Sequence, residues 1–102
     1  MIMQINGTDE YEEIVLKNEG KSIIDFYALW CGPCRMLEPI LESISEENED
    51  ITIYKVNIDE NPELANQFMV TSIPTIVLMN NGSKIETLVG LRSKDDIMSY
   101  FK

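Results

Sequence analysis

Five consecutive residues, Trp30-Cys31-Gly32-Pro33-Cys34, hold both cysteines and the single tryptophan of the chain. Two thiols separated by two residues can close a disulfide and open it again, so the spacing suits dithiol–disulfide chemistry. The nucleophile in that chemistry is the thiolate, so the attacking cysteine needs a lowered pKa. The flanking pattern supplies the means. Ile23 to Leu29 is an apolar run that reads as a strand, and Met36, Leu37, Ile40, Leu41 and Ile44 then recur at helical spacing. Cys31 therefore falls where a helix begins, and the unpaired N–H groups there favour an anion. Cys34 falls one turn later. Gly32 lets the backbone turn without clash, and Pro33 has no N–H to lose in a first helical turn. The expectation is Cys31 as the exposed attacker and Cys34 as the inner, resolving thiol.

A resolving thiol needs a base, and the chain contains no histidine. Asp25 interrupts the apolar strand that delivers the cysteines. A carboxylate in a buried strand costs several kcal/mol unless it is paired, hydrated or neutralised by a raised pKa. With a raised pKa it could accept the Cys34 proton through a water. Lys55, on the next β-rich segment, is the partner expected for that carboxylate; the other reading is a solvated edge lysine.

Composition narrows the alternatives. The 102 residues suit one domain, residues 1–102, long enough to bury a core without disulfide staples. With 18 acidic and 8 basic residues the net charge is −10, which argues against nucleic acid and anionic membrane surfaces as partners. Two cysteines without histidine make a closed zinc site uncommon, so no metal is expected. The first residues lack the basic and apolar regions of a signal peptide, and no stretch has the length of a membrane span. The expectation is a cytoplasmic protein, a monomer, in a compartment where a close cysteine pair is more often catalytic than structural.

The remaining elements follow in order. Ile2 and Ile5 suggest a short first strand. Thr8, followed by Asp9 and Glu10, reads as a helix cap, with Tyr11, Ile14 and Val15 facing inward. Ile51 to Ile58 is a strand. Asn61-Pro62 starts a short helix with Asn61 as cap, and Leu64, Ala65, Phe68 and Met69 form its inner face. Ile76 to Met79 is a buried strand, and Asn80-Asn81-Gly82 is a hairpin turn into an antiparallel strand, Lys84 to Val89. Ser93 caps a last helix with Ile97, Tyr100 and Phe101 inward. The order β-α-β-α-β-α-β-β-α calls for an α/β architecture, a mixed central sheet with helices on both faces.

These features resemble the thioredoxin family over nearly the whole chain. The matching motifs are Trp30-Cys31-Gly32-Pro33-Cys34, Asp25-Phe26, Pro39, Lys55 with Asn57-Ile58-Asp59, Asn61-Pro62, Ile73-Pro74-Thr75, Asn81-Gly82 and Val89-Gly90. The resemblance implies the thioredoxin fold, a five-stranded mixed sheet flanked by four helices. It also implies a cis bond before Pro74, facing the cysteines, and a docking surface of Trp30, Gly32, Pro33, Ile58, Ile73, Pro74, Val89 and Gly90. For Ile58 and Val89 a core role is the competing reading. The implied activity is protein-disulfide reduction with no cofactor beyond the cysteine pair, on disulfide-containing target proteins, with recharging by a thioredoxin reductase. Two other functions stay open: a disulfide oxidant or isomerase on the same fold, and a redox-inert binding module. Two positions depart from the family pattern. Tyr27 stands where a second tryptophan is usual, and Thr71-Ser72 precedes Ile73-Pro74 in place of an Arg-Gly-like pair.

Overall fold

Strands form where β-branched and aromatic residues cluster. In the computed structural model, which describes residues 1–102, they are β1 (Ile2–Gln4), β2 (Lys21–Tyr27), β3 (Thr52–Asn57), β4 (Thr75–Asn80) and β5 (Ser83–Val89). The helices are α1 (Gly7–Glu10), α2 (Gly32–Glu47), α3 (Pro62–Gln67) and α4 (Lys94–Ser99), and α1 runs on into a π-helical stretch, Tyr11–Val15. The sheet order is β1-β3-β2-β4-β5, with β1 and β2 parallel to β3, and β4 antiparallel to both β2 and β5. This is the five-stranded mixed sheet with a terminal antiparallel hairpin that the element order demands.

Alternation along the strands sorts side chains into two layers. Ile24, Phe26, Tyr54, Val56, Val77 and Met79 point to one side, where they meet Tyr11, Val15 and Leu64. Ile23, Ile53, Ile76, Leu78 and Leu88 point to the other and meet Leu37, Leu41 and Ile44 of α2 and Ile97 of α4. Each such aliphatic or aromatic side chain stabilises the fold by roughly 1.5–3 kcal/mol when removed from water. By the same alternation Asp25 shares the face of Ile23, and Lys55 that of Ile53. Both therefore lie on the side covered by α2, the helix that carries Cys34.

Several local features differ from the expectations. The cap position of α1 is Asn6, with Thr8 inside the first turn and no side-chain cap. The free N–H groups are met from elsewhere: Asn6 N–H donates to Glu10 Oε1 at 2.9 Å, and Gly7 N–H to Asn61 Oδ1 at 2.7 Å. Asn61 occupies the cap position of α3 but its side chain does not cap that helix. It is spent on the contact to Gly7 and on a 2.9 Å bond from Nδ2 to the Asn57 carbonyl. Ser93 does cap α4, accepting from Asp96 N–H at 3.1 Å. Met36 and Met69 are exposed rather than inward. Met69 falls after α3 has ended, in the left-handed region at φ 55°, where its side chain is turned away from the core. The Asn81-Gly82 turn has φ of 52° and 79°, the conformation that tight antiparallel hairpins demand.

Candidate active site

β2 ends at Tyr27, the chain bends through Leu29 and Trp30, and α2 starts with Cys31 as its cap residue. Cys31 has extended backbone angles, and its Sγ accepts the Cys34 N–H at 3.2 Å. Cys31 and Cys34 are joined in a disulfide, with Cα atoms 5.3 Å apart. An N–H aimed at the first sulfur from the opening turn of a helix is the arrangement that stabilises a thiolate there once the bond is reduced. Cys31 is 5 % exposed and Cys34 3 %, so in the oxidised pair the first sulfur is more covered than expected. The cover is identifiable: both cysteines pack with Ala28 against Tyr27, Ile58 and Ile73, and Cys31 Sγ lies 3.8 Å from the Ile73 carbonyl oxygen. Gly32 has ordinary backbone angles and open space where a Cβ would sit, so the steric reason offered for a glycine there does not hold. Pro33 occupies the first turn and is exposed.

Three loops meet around the pair. The Ile73–Pro74 bond is cis, Pro74 is buried, and Thr75 Oγ1 donates to the Ser72 carbonyl at 2.6 Å. Gly90, at φ 92°, donates its N–H to the Pro74 carbonyl at 2.8 Å, which ties the end of β5 to the same loop. Asn57 Oδ1 accepts from Asp59 N–H at 2.9 Å, shaping the turn that presents Ile58, and Ile58 N–H bonds the Tyr27 carbonyl. Trp30 is 67 % exposed, and its Nε1–H donates to Asp59 Oδ2 at 2.9 Å. Leu29 and Val89 are also exposed, whereas Ile58 and Ile73 are half-buried. Val89 is therefore a surface residue and not a core one. Ile58 serves two neighbours, packing against the core beneath α1 and α3 as well as against the cysteines. The two hollows in the surface, about 180 and 160 Å³, are lined by other residues, and neither includes a cysteine. The Trp30–Asp59 bond joins residues 29 apart, which no local pattern signals.

Asp25 is wholly buried and pairs in register with Lys55 across β2 and β3. Neither carboxyl oxygen has a hydrogen-bond partner in the protein, and Lys55 Nζ is 3.9 Å from Oδ2. The same ammonium donates to Glu38 Oε1 on α2 at 3.1 Å. Lys55 is thus no free edge residue, although it divides its charge between two carboxylates. Burial drives the Asp25 pKa up from 3.8 to about 7; Lys55 pulls it down and Glu38 pushes it up. Desolvation wins because the carboxyl receives no hydrogen bond and the ammonium, at 3.9 Å, is in ion-pair range but beyond hydrogen-bond distance. The result is an acid poised to take or give a proton near neutral pH. No group of histidine, cysteine and carboxylate side chains is assembled that could hold a metal ion.

Residues 2–102 match the Thioredoxin family model. The chain is 45 % identical over 100 residues to a thioredoxin of Rickettsia bellii, covering 96 % of this chain and 95 % of that protein. It is 48 % identical over 79 residues to a thioredoxin of Chlamydia trachomatis, covering 78 % of each. Among solved structures, a single-substitution mutant of a thioredoxin from Halobacterium salinarum superposes with a TM-score of 0.89 at 35 % identity, over 99 % of this chain and 91 % of that one. Oxidised mitochondrial thioredoxin 3 of Saccharomyces cerevisiae does so with a TM-score of 0.89 at 32 % identity, over 98 % and 92 %. With a redox-active cysteine pair at the start of α2, the chain belongs to the thioredoxin family of thiol–disulfide oxidoreductases.

Proposed function

We propose that the chain works as a general protein-disulfide reductase, a single-domain monomer of the cytoplasm. The observation that carries this reading is the disulfide at the α2 N-terminus, with the Cys34 N–H on Cys31 Sγ and the neighbouring Leu29 and Trp30 exposed. In the reduced form the Cys31 thiolate attacks one sulfur of a target disulfide and the target's other sulfur leaves as thiolate. Cys34 then gives its proton to Asp25 through a water and attacks Cys31 Sγ, releasing the second target thiolate and closing the Cys31–Cys34 bond. Two electrons pass from the pair to the target. Lys55 tempers the proton affinity of Asp25.

Trp30, Gly32, Pro33, Ile58, Ile73, Pro74, Val89 and Gly90 receive the target, with an extended segment lying along the loop of Pro74 as an added strand. A thioredoxin reductase, NADPH-linked in the commonest arrangement of the family, returns the pair to its dithiol form. The redox group is the pair itself, and no bound cofactor is needed. Insulin reduction tests the reading: the reduced wild type cleaves the interchain disulfides, and Cys31→Ser and Cys34→Ser do not turn over. Cys34→Ser accumulates a mixed disulfide through Cys31, whereas Cys31→Ser does not. A wild type with no turnover against insulin, given dithiothreitol, removes the reductase assignment.

A further inference from the structure

The Lys55 ammonium has a third neighbour besides the two carboxylates. It sits 4.4 Å from the ring centroid of Tyr27, within the range at which a cation is attracted to an aromatic face. The ring is itself fixed, because Tyr27 Oη accepts the Gln4 Nε2–H at 2.9 Å. Gln4 lies opposite Lys55 across β1 and β3, and Asp25 lies opposite Lys55 across β2 and β3. A line of residues across three strands therefore ends on one ammonium, with Tyr27 two residues along the strand from Asp25 on the same face.

The ammonium needs such a hold. A lysine side chain loses considerable rotamer freedom when fixed. Its shortest partner, Glu38, is half-exposed and borders the open cleft shared by Ile2, Leu41, Glu42 and Lys55, which draws the charge outward. The buried carboxyl, at 3.9 Å, is the weaker geometric partner. A ring face beside the inner position offsets that outward pull.

We propose that Tyr27 is a positioning residue whose ring holds the Lys55 ammonium beside the buried Asp25 carboxyl and so governs proton exchange at that carboxyl. The charged groups facing Asp25 are few. β3 contributes Lys55, and α2 contributes Glu38, with Glu42 further along the same cleft. β4 contributes the apolar Ile76 in register, β1 the neutral Gln4, and Cys34 is held in the disulfide. Lys55 is the only one of these that favours the carboxylate, so loosening it must move the Asp25 midpoint upward. The inference rests on Asp25 being the base for Cys34 for its importance, but its test does not.

The experiment is a pH titration of the Asp25 side-chain carboxyl carbon by NMR in the oxidised protein, which needs no turnover. Replacing Tyr27 by phenylalanine keeps the ring, and replacing it by pentafluorophenylalanine keeps the shape while cancelling the negative face. The midpoint is expected to stay in place with phenylalanine and to rise by about 0.5 pH unit or more with the fluorinated ring. Tyr27→Leu should raise it likewise, and Tyr27→Trp should not. In a Lys55→Met background, Tyr27→Leu should add no further shift. Equal midpoints for the two phenylalanine rings would overturn the proposal, as would a Tyr27→Leu shift of undiminished size without Lys55. Failure of the wild type to reduce insulin would remove the reductase reading and leave this titration intact.

Discussion

Replacing Asp25 with asparagine separates the energetic effect of burying this carboxyl from everything else in the site. Asp25 is wholly buried, and its pKa is raised from 3.8 to about 7. Between those values the unfolded chain has released the proton while the folded one retains it. The native state binds more protons there, so stability falls as pH rises through that window, and is flat on either side. Roughly three pH units at about 1.4 kcal/mol each give a loss of about 4 kcal/mol by pH 8. The asparagine side chain cannot ionise, and its own desolvation is a fixed quantity, so the difference between Asp25→Asn and wild type isolates the titration. Denaturant unfolding of the oxidised proteins across about pH 4 to 8.5 should show the variant gaining relative stability up to about 4 kcal/mol, with the rise running from the acid end of the range and levelling off above about pH 7. A difference that does not change with pH would mean that Lys55 already keeps the carboxylate ionised in the fold. The description of Asp25 as a base poised near neutrality would then fail.

The same residue carries a kinetic expectation. Asp25→Asn should slow release of a preformed Cys31 mixed disulfide on the order of 100-fold at about pH 7, followed by stopped-flow, while the attack of Cys31 on a small disulfide changes little. Val89→Glu places a charge on the exposed apolar face beside the Pro74 loop. It should raise KM for insulin several-fold and leave the rate with a small aromatic disulfide nearly unchanged; equal effects on both substrates would argue against protein docking there. Asn61→Ala removes the acceptor for Gly7 N–H and the donor to the Asn57 carbonyl, both at a buried side chain. A loss of about 2 kcal/mol in denaturant unfolding is expected, and a change below about 0.5 kcal/mol would show that water replaces both partners.

Much of this architecture is legible because the signals are local. Apolar runs and helical spacing identify the strands and α2, Asn81-Gly82 announces the hairpin, and Ser93 caps α4 as its position suggests. The cysteine pair at a helix start needs only a short stretch of flanking sequence. What escapes the sequence is decided by contacts between distant segments. Asn61 looks like a helix cap and instead braces Gly7, 54 residues away. Trp30 finds Asp59, and Lys55, whose pairing with Asp25 the sequence does suggest, also reaches Glu38 and the Tyr27 ring, contacts that depend on how distant segments align. Met36 and Met69 fit apolar periodicity, but Met36 lies on the outer face of α2 and Met69 falls beyond the end of α3. Tyr27 is visible in the sequence only as a departure from the family pattern, and its ring becomes meaningful once β1, β2 and β3 are aligned.

The equilibrium reduction potential of the Cys31–Cys34 couple, measured against glutathione or dithiothreitol buffers, decides between a reductase and an oxidant. A reductase should poise near about −270 mV, which is the reference value for thioredoxin and not a quantity obtained from this geometry. A potential near about −180 mV or above, the range of disulfide isomerases and oxidants, would mean that the reduced pair is unusually stabilised and would contradict the reductase assignment.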